Sequence, residues 1–150
     1  MSKALNLRKL LVKILQQLPR DTGWQVASMN SSFTAYGNSM TPKYRRIGNV
    51  VYVRGAVKPT SATAADATIY TIFNLPLGYR PTQRFGTDSD AAVNTVCQGS
   101  TQYIWTCRVF DNGNVTFSRY RNGSSYASAS TSAWLPFNFS FITDDDWPSS

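Results

Sequence analysis

The apolar positions of the chain change period once, near residue 20. Over residues 3–18 (KALNLRKLLVKILQQL), Leu7, Leu11, Ile14 and Leu18 recur at the spacing of one helix face, and Leu10 and Leu15 widen it. Lys9, Lys13 and Gln16 fall on the other side. Pro19 ends the pattern, because proline cannot donate the next backbone hydrogen bond and disfavours helix at the residue before it. A helix this short is marginal alone. Its stripe therefore needs a partner: its own domain, copies of itself, or a membrane or nucleic-acid surface. It covers only two heptads of a coiled-coil seam.

Beyond residue 20 short β segments alternate with turn residues. Trp24–Ser28 is the first candidate strand. Tyr44–Ile47 and Val50–Val57 flank Gly48-Asn49 and predict a hairpin with a two-residue turn. Thr68–Phe73 follows, and then Ala91–Gln98 and Tyr103–Phe110 as a second pair. Asp111-Asn112-Gly113-Asn114 is a turn leading into Val115–Tyr120, and Asn122-Gly123 marks another. Residues 60–67 and 123–132 are rich in small residues and predict loops. In the last segment, Trp134–Ile142, Leu135, Phe137, Phe139 and Phe141 alternate with Pro136, Asn138 and Ser140, so one face is core. Pro136 lacks an N–H, which points to an edge strand or a bulge. The expectation is a mainly β chain. A single β-sandwich or jelly-roll-like domain over residues 21–150 follows a short N-terminal helix over residues 1–20.

Composition narrows the chemistry. Of 150 residues only 15% are charged, there is no His, and all eight acidic residues are Asp. Without His the chain lacks the commonest general base and nitrogen metal ligand. Neither a Ser-His-Asp triad nor a Cys-His pair can be drawn. A glycosidase needs two carboxylates across a cleft, and no motif pairs the Asp residues. The expectation is no enzyme and no cofactor. The net charge of +7 is concentrated in the helix. Residues 1–20 hold Lys3, Arg8, Lys9, Lys13 and Arg20 and no acid, whereas the body sets ten basic residues against eight Asp. No stretch is long and apolar enough to span a bilayer. The N-terminal segment has no small-residue cleavage site of a signal peptide. Cys97 and Cys107 are the two cysteines. With a turn over 99–102 they face roughly positions 104 and 94, so two buried free thiols are expected over a disulfide.

Three blocks carry a resemblance. Tyr44-Arg45-Arg46-Ile47-Gly48-Asn49-Val50-Val51-Tyr52-Val53-Arg54-Gly55 resembles a stretch recurring in C-terminal domains of tail proteins from phages of Gram-positive bacteria. Leu75-Pro76-Leu77-Gly78-Tyr79-Arg80-Pro81 resembles the same family, as does Trp134-Leu135-Pro136-Phe137 followed by Ser140-Phe141-Ile142-Thr143-Asp144-Asp145. The blocks stand in order within residues 24–148. The resemblance implies a baseplate or tail-fibre head similar to lactococcal phage receptor-binding proteins. Such heads are homotrimers that hold host cell-wall saccharide, with N-terminal helices bundled in threes. It implies a seam of Leu7, Leu11, Ile14 and Leu18, other baseplate or tail proteins as partners, and a virion protein assembled in the host cytoplasm. A helix ending at Pro19 is short for such a stalk, as in a shortened form or a module whose shaft belongs to a partner. The turn glycines Gly48, Gly78 and Gly113 and the prolines Pro76 and Pro81 also read as structural punctuation.

A saccharide site combines an aromatic face with planar polar groups that grip hydroxyls. Tyr103, Trp105, Arg108, Tyr120, Arg121, Asn122 and Tyr126 gather near two predicted hairpin ends. Trp105 shares parity with Cys107 and Val109 and is expected in the core. Parity places Tyr120 with Ser118, opposite Val115 and Phe117, and makes Tyr120 and Tyr126 better candidates for exposure than Trp105, with the core the competing place for each. Asp88, beside Asp90, is a further saccharide candidate, a metal-loop acid or, most simply, a solvated loop acid. Asp144-Asp145-Asp146 reads as a solvated end or as oxygen ligands for calcium, with no metal expected. Two other classes compete with the saccharide module. One is a structural baseplate or tail-fibre domain docked through its helix. The other is a capsid-type jelly roll with a basic arm on nucleic acid, against which the Leu-rich stripe argues.

Overall fold

The computed structural model describes residues 2–82, 91–100 and 102–149. Helix α1 spans Lys3–Gln17, with Ser2 as N-cap accepting the Leu5 N–H at 3.3 Å. Leu18 is extended before Pro19, as the proline requires. None of the helix residues is buried, so the stripe does not pack on its own domain.

Among the described residues ten strands follow: β1 (Gln25–Val26), β2 (Phe33–Ala35), β3 (Lys43–Ile47), β4 (Val50–Pro59), β5 (Tyr70–Asn74), β6 (Ala91–Gln98), β7 (Tyr103–Phe110), β8 (Asn114–Asn122), β9 (Ser125–Tyr126) and β10 (Leu135–Ile142). They form two five-stranded antiparallel sheets. The first runs β1-β3-β4-β10 with β2 also on β4, and the second runs β5-β8-β7-β6 with β9 also on β8. This is the β-sandwich the alternation predicts. The β3–β4 hairpin turns at Gly48-Asn49, where Gly48 has φ +58, as the first position of a type II′ turn requires.

Between the sheets lie Val51, Val53, Val57 and Leu135 from one side and Phe73, Trp105, Val109 and Phe117 from the other. Trp105 is fully buried, as its parity predicts, and its ring lies 5.5 Å from Phe117. On β10 the parity holds but the depth grades. Leu135 and Phe137 are buried, while Phe139 and Phe141 are half-buried toward the strand's end. Cys97 faces Trp105 and Cys107 faces Thr95, each one position from the expected register, and both thiols are free. Burial pushes the Cys97 thiol up to about 11, and Cys107 is raised by burial as well.

Residues from β3, the 75–82 loop and the stretch after β10 meet at one pole. Arg46 points inward from β3 and is buried; its guanidinium donates to the carbonyls of Gly48 (2.8 Å), Gly78 (2.6 Å) and Asp146 (3.0 Å). Asp145 accepts the N–H groups of Gly78 at 2.9 Å and Arg80 at 3.1 Å, and Asp144 accepts the Thr82 hydroxyl. Two members of the Asp run are thus spent as a clasp on the 75–82 loop. The guanidiniums of Arg20 (4.3 Å) and Arg46 (5.0 Å) both lie over the Trp147 ring. The Gly48 N–H donates to the Arg20 carbonyl at 2.8 Å, and Asp21 bridges Ile47. The helix therefore leaves the sandwich at this pole, beside the β3–β4 turn.

Candidate functional site

The residues singled out for saccharide binding divide between the two ends of the second sheet. Tyr103, Tyr120, Arg121, Asn122 and Tyr126 come together at the pole away from the helix, where Tyr103 pairs with Asn122 and Arg121 with Tyr126. Arg108 does not join them. It lies five residues along β7, roughly 17 Å away, with its Nε donating to Asn94 at 3.3 Å. Asp88 lies outside the described residues.

Tyr120 corrects the parity argument. Arg119 has φ +53, and the β7–β8 register slips between Ile104 and Thr106, so one extra residue enters β8 there. The bulge returns Tyr120 to the inside. It is buried, stacked on Tyr103 with centroids 4.8 Å apart, and burial raises its hydroxyl pKa. Ser118 remains on the outer face but is buried as well. Tyr126 and Asn122 are exposed; Arg121 is half-buried, with its Nε enclosed and unpartnered.

The concave surface at this pole lies one strand further on. Edge strands β6 and β10, one from each sheet, run close together without pairing among the described residues. Between them opens a groove of about 450 Å³ lined by Thr95, Val96, Gln98, Trp134, Pro136 and Asn138, among others. Trp134 is 37% exposed, with Pro136 and Asn138 outward beside it. The Gly99 turn packs against Trp134 beside the groove. A Cβ on Gly99 would stand 3.2 Å from the Trp134 carbonyl and 3.3 Å from the Tyr120 ring. The Trp134 N–H donates to Ser100 Oγ at 3.3 Å. Tyr103 and Tyr120 therefore support the turn that borders the groove; Tyr126 and Arg121 continue the outer face through the row Tyr126, Arg121, Ile104 and Gln98.

The groove continues across Pro136 into a second hollow of about 360 Å³, where Lys43, Arg54, Ser39 and Thr41 join Trp134 and Pro136. Gly55 makes this hollow possible, because a Cβ there would stand 2.7 Å from Pro42 Cα. Without one, the Asn38–Met40 turn and Pro42 press directly on β4. Sequence reasoning placed Trp134 only at the start of the last strand. Its parity with Pro136 and Asn138 already marked it as outward, but the partner strand β6 is far away in sequence.

An indole face beside the amides of Gln98 and Asn138 can stack on the apolar side of a ring and hydrogen-bond its edge groups. Among the described residues that line the groove there is no carboxylate, lysine or arginine, and Cys97 is the ionisable side chain. Among the described residues no cluster of three or more Asp or Cys side chains is arranged for a metal, and no helix is long and apolar enough to cross a membrane. Comparison with protein-family models, with curated proteins and with solved structures finds no match to this chain.

Proposed function

We propose that this chain is a non-catalytic receptor-binding module of a phage tail, and that it holds host cell-wall saccharide in the Trp134 groove. The observation that carries the reading is an outward indole flanked by amide side chains, in an open groove at the pole remote from the helix. The ends of β10 separate groove and helix by roughly 25 Å. Attachment through the helix thus leaves the groove free to meet a surface. On this reading α1 bundles with two copies of itself through Leu7, Leu11, Ile14 and Leu18 in a baseplate or tail fibre. Three heads then compensate by avidity for weak single-site sugar binding. The absence of His and Glu, and the engagement of Asp21, Asp144 and Asp145 in structural bonds, support a non-catalytic role.

The test is retention of the full chain on purified Gram-positive cell walls and on a glycan array. Trp134→Ala should lose at least tenfold in affinity while its circular dichroism stays unchanged. The wild-type chain should release no new reducing ends from the polysaccharide. Undiminished binding by the variant refutes the groove, and sustained release refutes the non-catalytic reading.

A second reading is favoured by the helix itself. Leu5, Leu7, Leu10, Leu11, Val12, Ile14, Leu15 and Leu18 are all at least 43% exposed, an apolar surface that a soluble protein must cover. A structural domain docked on another virion protein would use it. Light scattering on the full chain and on a Leu11→Lys/Ile14→Lys variant separates the two. A wild-type trimer that the variant dissolves supports self-assembly, and a wild-type monomer favours docking.

A further inference from the structure

The outer face of the first sheet carries an arrangement the groove alone does not explain. In the β1-β3-β4-β10 register, Val26, Lys43, Arg54 and Asn138 form one cross-strand row. Arg45, Tyr52 and Ser140 form the next. The ion pair described on this face joins Arg45 to Asp21, with Arg45 Nε donating to Asp21 Oδ1 at 2.8 Å. Lys43 and Arg54 stand directly opposite one another, and no carboxylate reaches either among the described residues. Like charges facing across an antiparallel pair cost stability. Both line the 360 Å³ hollow that adjoins the Trp134 groove.

The second observation is how Arg54 is held. Its guanidinium carbon lies 4.1 Å from the centroid of Trp24, and Arg45 approaches the same indole at 5.9 Å. A contact with the indole face does not consume the guanidinium N–H groups, whose planar fork can donate two parallel hydrogen bonds to one oxyanion. Lys43 supplies a second, compact charge, and the Ser39 and Thr41 hydroxyls add neutral donors in the same hollow. An oxyanion seated between Lys43 and Arg54 would turn a repulsive pair into two attractive ones.

We infer that the Lys43–Arg54 hollow is an anion subsite, and that the saccharide in the adjoining groove bears a phosphate or carboxylate that enters it. The inference rests on the saccharide reading above and specifies its chemistry. Two unpaired cations make a local clamp for one charged substituent. A nucleic-acid backbone would require a longer run of phosphate contacts.

The test measures binding of the full chain to three probes, a poly(glycerol phosphate) oligomer, an oligogalacturonate and neutral maltohexaose, with oligo(dT) as a nucleic-acid comparison. At least one anionic probe should bind at least tenfold more tightly than the neutral one and weaken several-fold from 50 to 500 mM NaCl. Lys43→Gln/Arg54→Gln should abolish that preference, with circular dichroism unchanged. The two anionic arms distinguish phosphate from carboxylate. Equal binding of neutral and anionic probes, or a preference that survives the double substitution, overturns the subsite and leaves the saccharide reading standing. Tighter binding of oligo(dT) than of any glycan overturns the ligand class. Failure of all probes overturns the subsite, while the cell-wall assay with Trp134→Ala decides the groove separately.

Discussion

Removing the Arg46 side chain should unlatch the pole where the helix joins the sandwich. In Arg46→Ala, the carbonyls of Gly48, Gly78 and Asp146 lose a common charged donor, and Trp147 loses one of its two cations. Hydrogen bonds from a charged donor contribute about 1.5–3 kcal/mol each. The cation–π contact contributes about 0.5–2 kcal/mol. Against these stands the desolvation of a buried guanidinium, several kcal/mol. The C-terminal tail can also swing its Asp146 carbonyl out to water. The balance is a loss of about 3 kcal/mol. With a urea slope of about 2 kcal/mol/M for a chain of this size, the unfolding midpoint should fall by about 1.5 M. Arg46→Lys should recover less than half, because one ammonium cannot span the directions of the planar fork. A midpoint shift below about 0.3 M in Arg46→Ala, at unchanged slope, would refute the clasp as a stabilising element.

Four further substitutions probe other levels of the structure. Phe137→Ala should cost about 3–5 kcal/mol and half-buried Phe139→Ala about half of that, with Asn138→Ala within about 0.5 kcal/mol; urea melts measure all three, and equal small losses would contradict the alternation. Arg45, with help from the Gly23 N–H, holds the Asp21 carboxyl at about 2, below its ordinary 3.8. Its contribution is therefore complete above about pH 4 and is lost as the pH falls toward 2. Asp21→Asn should flatten that part of the thermal-melt profile, and an unchanged profile would dismiss the pair.

What the sequence made legible is what short-range chemistry dictates. The bounds of β6 and β7, the Gly48-Asn49 turn, the inward face of β10 and the edge position of Pro136 all follow from residues within one or two turns of each other. Strand β2 did not show itself, because Phe33–Ala35 is a three-residue strand in a polar stretch, ordered by pairing with the far end of β4. The bulge at Arg119 was equally hidden. A positive φ at an arginine is stabilised by its surroundings and has no signature in the sequence, yet that one residue moved Tyr120 from candidate ligand contact to core. Adjacent Arg45 and Arg46 look alike in sequence. One pairs with Asp21 at the surface, and the other is buried among carbonyls contributed from up to 100 residues away. Trp134 and Gln98 become one site only because two sheet edges converge.

That layout also sets how the domain would respond to tension. The helix joins beside the β3–β4 turn, and the Trp134 groove lies at the opposite end of β10. A pull between them runs along β4 and β10, whose eight registered pairs, from Leu135 with Val57 to Ile142 with Val50, lie across the direction of force. Loaded in shear, those pairs share the strain together and do not open one at a time as in a peeled hairpin. The Trp147 stack and the Asp21–Ile47 bridge sit where that load enters. Resistance to detachment is then a rate, governed by the barrier to sliding one strand past another, and it is set apart from the equilibrium stability of the fold.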